Sequence, residues 1–201
     1  REVRRMTEDA GLAVLAYGSY FRCKPNEAFE PVLASAVALG APLIRIWAGE
    51  RGSDRADDAY RAAVAEQARY CAALAAQHGI RVAFEFHANT LTDTLDSTLA
   101  LLADAPGMRT LWQPPHDMDE AQRLSGLRAL LPWLANVHVF HWRMPDRARL
   151  PLADGESLWR ERLALAAQCG HDLAAMLEFV RDDAPLAFAE DAAVLKRCAA
   201  F

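Results

Sequence analysis

The stretch His78-Gly79-Ile80-Arg81-Val82-Ala83-Phe84-Glu85-Phe86-His87 decides the fold. Upstream of it, from Asp57 to His78, the apolar residues Tyr60, Val64, Cys71 and Leu74 keep roughly helical spacing. Gly79 can take the left-handed conformation that closes a helix, which costs a residue without a side chain nothing. Residues 82–87 then read as a strand that is apolar on both faces except for one carboxylate and one imidazole, two residues apart on one face. Helix, glycine and strand make one αβ unit.

That unit recurs in both directions. Short apolar runs at 12–17, 43–47, 110–113, 137–142 and 175–180 read as further strands. Thr7 to Gly11 reads as the end of a helix feeding the first of them. Asn26 and Pro31 fit the opening turns of a helix that stops near Gly40. Thr92 or Thr94 can cap a helix through Leu102 with its hydroxyl. Ser157 opens another, in which Trp159, Leu163 and Ala166 share a face and Gly170 follows the end. Residues 188–201 read as a terminal amphipathic helix. Repeated αβ units imply a parallel sheet covered by helices, in one domain spanning 1–201 with about six strand-helix units.

Composition excludes several classes. The chain has 201 residues, 53% hydrophobic and 24% charged, with a formal net charge of -5. An acidic balance gives no general electrostatic reason to bind nucleic acid or an anionic membrane surface. No apolar run approaches the roughly 18 residues that a spanning helix needs, and no apolar segment follows the basic start Arg1-Glu2-Val3-Arg4-Arg5. Cys23, Cys71, Cys169 and Cys198 are far apart, which argues against a disulfide framework or a zinc finger and fits a reducing cytoplasm.

Parallel α/β folds bind ligands at the C-terminal ends of their strands, so the polar residues there carry the functional signal. Glu85 and His87 end one strand, and Gln113 ends another and leads into Pro114-Pro115-His116. His138 and Glu178 lie among apolar neighbours in two more. An ionised carboxylate buried without a partner costs many kcal/mol, so Glu85 and Glu178 need a cation, an Arg or a raised pKa. Singly, each has an ordinary structural reading: a strand-end Glu pairs with Arg, a lone His sits satisfied in a core, a Gln caps a turn. Their recurrence at successive strand ends favours a shared divalent metal. Carboxylate, amide oxygen and imidazole donors suit Mn²⁺, Mg²⁺ or Co²⁺, with Zn²⁺ compatible only outside thiolate-type structural sites.

The strings Ile44-Arg45-Ile46-Trp47-Ala48-Gly49, Phe84-Glu85-Phe86-His87 with Thr92-Asp93-Thr94, Trp112-Gln113-Pro114-Pro115-His116, Val137-His138-Val139, Pro151-Leu152-Ala153-Asp154-Gly155-Glu156 and Leu177-Glu178 resemble the xylose isomerase-like (β/α)₈ barrel superfamily, in particular its sugar phosphate isomerase/epimerase members. They span most of the chain in the family's order. The resemblance implies a TIM (β/α) barrel lacking its first two βα units in this chain, with six of eight units present. It also implies a metal held by Glu85, Gln113, His138 and Glu178, with Gln113 standing where the family usually has Asp. Glu85 and Glu178 would move protons on either side of a ketose or related hydroxycarbonyl. His87, Asn89, His116, His141, Arg143 and Trp47 would line the substrate pocket, with Trp112 as a further aromatic wall.

The function this implies is a metal-dependent sugar isomerase or epimerase acting on a small-molecule sugar, in the cytoplasm, able to self-associate as such barrels do. A dehydratase of the same superfamily would share the metal and the proton abstraction. A catalytically inactive sugar-binding or structural barrel is the rival of a different class. The related DNA-repair endonucleases rank below these, since they need more His and Asp ligands and a DNA-binding surface.

Overall fold

A computed structural model describes residues 1–200 and divides into two compact units, Arg1–Leu111 and Trp112 onward. In the first unit, helices α1 (Glu2–Asp9), α2 (Glu30–Leu39), α3 (Asp58–Ala76) and α4 (Leu95–Asp104) alternate with strands β1 (Tyr17–Gly18), β2 (Leu43–Ile46), β3 (Arg81–Glu85) and all but the last residue of β4 (Arg109–Trp112). The strands are parallel and neighbour one another in chain order. Helix α3 starts where Asp57 accepts the Tyr60 N–H at 2.8 Å. It ends with Gly79 at φ +68° and with Ile80 donating to the Ala75 carbonyl at 3.1 Å.

The buried stripe of α3 differs from the expected one. Val64, Ala68, Cys71 and Ala75 form it, while Tyr60 and Leu74 flank it half-buried. Small residues let the helix lie close on β3, whose Val82, Ala83, Phe84 and Glu85 are all buried. Each large apolar side chain in this core, Phe84, Ile44 and Ile46 among them, contributes about 1.5 to 3 kcal/mol by leaving water. The register pairs Ile46 with Phe84 and Glu85 with Leu111. Trp47, one residue past the end of β2, therefore falls beside Glu85.

Other boundaries shift for local reasons. The expected strand 12–17 contracts to Tyr17–Gly18, because only those two residues pair with β2, and Leu12 and Leu15 are exposed. Pro31 lies in the first turn of α2, but Asn26 precedes the helix at φ +61° as a turn residue. Thr94 caps α4, accepting the Ser97 N–H. Thr92 turns its hydroxyl elsewhere.

In the second unit, α5 (Glu120–Leu130) leads to β5 (Leu134–Val139), a hairpin of β6 (Trp142–Arg143) and β7 (Ala148–Arg149), then α6 (Glu156–Ala166), β8 (Ala174–Leu177) and α7 (Pro185–Cys198). Strand β5 is parallel to β8, with His138 opposite Met176 and Val139 opposite Leu177. The expected strand 137–142 begins at Leu134 and stops at Val139, since Trp142 and Arg143 pair antiparallel with Arg149 and Ala148. Helix α6 buries Trp159, Leu163 and Ala166 as expected, and the Trp159 indole donates to the Phe140 carbonyl at 2.9 Å. The expected strand 175–180 ends at Leu177, because Phe179 turns to φ +55°. The terminal helix starts at Pro185, and Phe201, at the expected end, lies outside the described residues. No cysteine is in a disulfide among the described residues.

Candidate metal centre

Glu85 occupies the last position of β3 and is 4% exposed. Its Oε2 accepts the Trp47 indole N–H at 2.6 Å and lies 3.2 Å from Arg45 Nη1. An indole and a guanidinium on one oxygen fix the direction of the carboxylate, which a ligand requires. The backbone behind it is braced as well. Thr92 Oγ1 donates to the Glu85 carbonyl at 2.5 Å, Thr90 Oγ1 donates to the His87 carbonyl at 2.8 Å, and Leu91 N–H bonds the Ala48 carbonyl at 2.8 Å. The loop from His87 to Thr92 is thereby tied both to β3 and to the segment after β2.

His87 stacks on Trp47 with ring centroids 5.2 Å apart and planes 22° from parallel. Its Nδ1 lies 2.7 Å from the Ala88 carbonyl, which can only accept, so Nδ1 carries hydrogen and Nε2 is left to accept or carry a second proton. Asn89 is exposed at φ +62°, with Oδ1 3.4 Å from Arg55 Nη2.

In the second unit, His138 is 7% exposed on β5, and its Nδ1 lies 3.3 Å from Glu178 Oε2. Glu178 is the first residue past β8, held by its backbone N–H to the Val139 carbonyl at 3.0 Å. The strand end thus aims the carboxylate at the imidazole. Gln113 follows β4 directly and is half-buried, with His116 three residues on. His116 stacks on Trp142 at 5.1 Å and 7° between planes, and Phe140 and Phe179 adjoin the same indole at 4.7 and 5.6 Å. His141 is half-buried against Gly155, where an added Cβ would come 2.6 Å from Nδ1. Loss of solvent around His141 lowers its proton affinity.

Two expected substrate contacts sit elsewhere. Trp112 is 1% exposed and meets Trp159 edge-on at 6.3 Å, a core residue rather than a sugar-facing wall. Arg143 is exposed on β6, with Nη2 2.7 Å from Asp146 Oδ2. Conversely, Arg45 was absent from the expected set although it carries the same signal as Glu85, a charge inside an apolar strand. Tyr20, Arg22, Phe140 and Phe179 are aromatic or cationic neighbours that lie in loops without a periodic pattern to reveal them.

Comparison with known proteins gives this arrangement its setting. The family model described as xylose isomerase-like TIM barrel matches residues 1–198. A 3-dehydroshikimate dehydratase of Bacillus anthracis is 36% identical over 98 residues, which are 47% of this chain. The chain spans about a third (35%) of the length of that curated relative. Among solved structures, a probable 3-DHS dehydratase from Bacillus anthracis superposes with TM-score 0.78 at 23% identity, covering 97% of this chain and 80% of that one. A xylose isomerase-like TIM barrel protein from Mycobacterium smegmatis in complex with magnesium gives TM-score 0.72 at 17% identity, covering 98% and 76%. A D-psicose 3-epimerase gives TM-score 0.65 at 17% identity, covering 98% and 78%. At these identities the structural likenesses establish the α/β TIM-barrel-type fold and nothing finer. No helix of the described residues is long and apolar enough to cross a membrane.

Proposed function

Because the chain belongs to the xylose isomerase-like TIM barrel family, we propose that it serves a divalent-metal-dependent enzyme that removes a proton from the carbon beside a carbonyl, and that the outcome is loss of water from a 3-dehydroshikimate-like hydroxycarbonyl. The observation that carries the metal reading is the donor set. In this reading Glu85, His138 and Glu178, two carboxylates and one imidazole, each offer one ligand atom to a common ion. Two carboxylates and one imidazole without thiolate match Mn²⁺, Mg²⁺ or Co²⁺. Gln113, at the end of the intervening strand, is the fourth candidate through its carbonyl oxygen.

When bound, such an ion polarises the substrate carbonyl and steadies negative charge on its oxygen. The protein's own groups supply the rest. Glu85, fixed by Trp47 and Arg45, anchors the site. Glu178, past the end of its strand, takes the proton from the carbon next to the carbonyl, and the electron pair left behind moves onto the carbonyl oxygen. For dehydration that pair returns to form a carbon-carbon double bond while the hydroxyl on the next carbon departs. It leaves as water by taking a proton from a neighbouring acid, for which His87, stacked on Trp47, is the candidate through Nε2.

Dehydration takes precedence over isomerisation because the relative at 36% identity is a dehydratase. The isomerase/epimerase reading, which the likeness to a D-psicose 3-epimerase supports at the level of fold, differs only in returning the proton to carbon. One experiment separates them. The purified protein with Mn²⁺ is given 3-dehydroshikimate, with mass analysis for loss of one water, and in parallel D-fructose and D-psicose in deuterated water. Water loss without exchange into the ketoses supports dehydration. Exchange alone supports an epimerase, and neither reaction from Mn²⁺-loaded protein contradicts the proposal.

A further inference from the structure

We infer that Arg22 binds a carboxylate of the substrate, so that the enzyme selects a carboxylated hydroxycarbonyl over a neutral sugar; this deepens the proposed function and rests on it. Arg22 lies in the loop between β1 and α2. Its guanidinium carbon stands 3.8 Å from the centroid of the Trp47 ring, the indole whose N–H holds Glu85. The side chain is 28% exposed. A cation on the face of a tryptophan ring is held in place and partly stripped of water, while its N–H edges stay available for hydrogen bonding.

The loop fixes that position from both sides. Phe21 is 3% exposed and packs edge-on to Phe29 at 5.2 Å, and Cys23 is wholly buried. Glu27 Oε2 accepts the backbone N–H groups of Arg22 and Lys24 at 3.0 and 3.1 Å, and the Trp47 N–H donates to the Phe21 carbonyl at 2.9 Å. Arg22 is therefore presented by a rigid segment, and little conformational freedom is lost when it meets a ligand.

Among the described residues no acceptor matches the guanidinium fork. The nearest carboxylate, Glu50, is 3.8 Å away from Nε and is taken at 2.8 Å by Lys24 Nζ. Arg45, the neighbouring guanidinium, is directed to Glu85 instead. One planar fork suits one planar two-oxygen group, which accepts two parallel N–H bonds. A phosphate would call for a wider set of donors, such as a glycine-rich loop, and the segment around Arg22 has no glycine between Ser19 and Leu39.

Binding of 3,4-dihydroxybenzoate and of catechol, which share ring and hydroxyls and differ by the carboxylate, tests this by titration with and without Mn²⁺. The parent is expected to bind 3,4-dihydroxybenzoate at least about tenfold more tightly than catechol. Arg22→Gln is expected to lose that preference while binding catechol as the parent does, with an unchanged melting temperature. Arg22→Lys, which keeps the charge and loses the fork, should fall between. Equal affinity of the parent for both ligands, binding of neither, or a preference that survives in Arg22→Gln overturns the assignment. Failure of the chain to bind Mn²⁺ or to dehydrate 3-dehydroshikimate counts against the proposed function, and a carboxylate preference lost in Arg22→Gln still supports the role of Arg22.

Discussion

Trp47 shows how much of the site is settled residue by residue. One side chain donates to Glu85, carries Arg22 on its face and stacks with His87. Trp47→Phe keeps the ring and removes the donor, so Glu85 loses an orienting bond. Such outer partners of a metal ligand are worth about tenfold or more in metal affinity, and Mn²⁺ titration of this variant should weaken by at least about tenfold while the fold persists. An unchanged affinity would show that the indole N–H does not orient a ligand. Glu85, His138 and Glu178 stand out in the sequence because a charge or imidazole inside an apolar strand is expensive and so has a reason. Trp47 was legible only as an aromatic near a strand end. Its bond to Glu85 depends on the register between β2 and β3, which no local pattern states. The surface pairing of Arg143 and the burial of Trp112 escaped for the same reason: residue type does not say which way a loop or strand end faces.

At the scale of elements, helices with strong end signals formed as expected, and strand ends moved wherever pairing stopped. Strand β1 kept one residue, Tyr17, of an expected six because pairing, not apolarity, defines a strand. Helix α5 went unrecognised although Asp119 and Gln122 form a reciprocal cap, with bonds of 2.9 Å each way. That helix is tied to α6 by Glu120, whose carboxylate takes Arg162 Nε at 2.8 Å and Nη2 at 2.6 Å, with Arg162 only 3% exposed. Burial alone would raise the Glu120 proton affinity, but the bonds and charge of Arg162 outweigh it and hold the carboxyl below its ordinary range. Because the folded value is depressed, this contribution is full above the ordinary glutamate value of about 4.3 and is lost as pH falls through the folded value. Glu120→Ala should lower unfolding free energy at neutral pH by about 2 kcal/mol, below the range for wholly buried pairs because Glu120 is partly exposed. Denaturant unfolding at pH 7 and at pH 3 should show the loss shrinking in acid. A loss of equal size at both values would place the effect in packing rather than charge.

For the molecule as a whole, the repetition of helix, glycine and strand made the α/β class readable, since two-sided apolar strands have few other homes than a parallel sheet between helices. Residues 1–198 match the family the strings resembled, so order along the chain carried more information than any one string. The reaction is less legible, because isomerases, epimerases and dehydratases of one barrel family begin with the same proton removal and part only at the next step. The claim beneath every reading is one divalent ion held by Glu85, His138 and Glu178. Calorimetric titration of Mn²⁺ into the metal-stripped chain, beside Glu85→Gln and Glu178→Gln, tests it most directly. One ion per chain is predicted for the parent, with each variant weaker by about 100-fold or more, since each loses a charged ligand. No saturable Mn²⁺ binding by the folded parent, or equal affinity in all three proteins, would contradict the account.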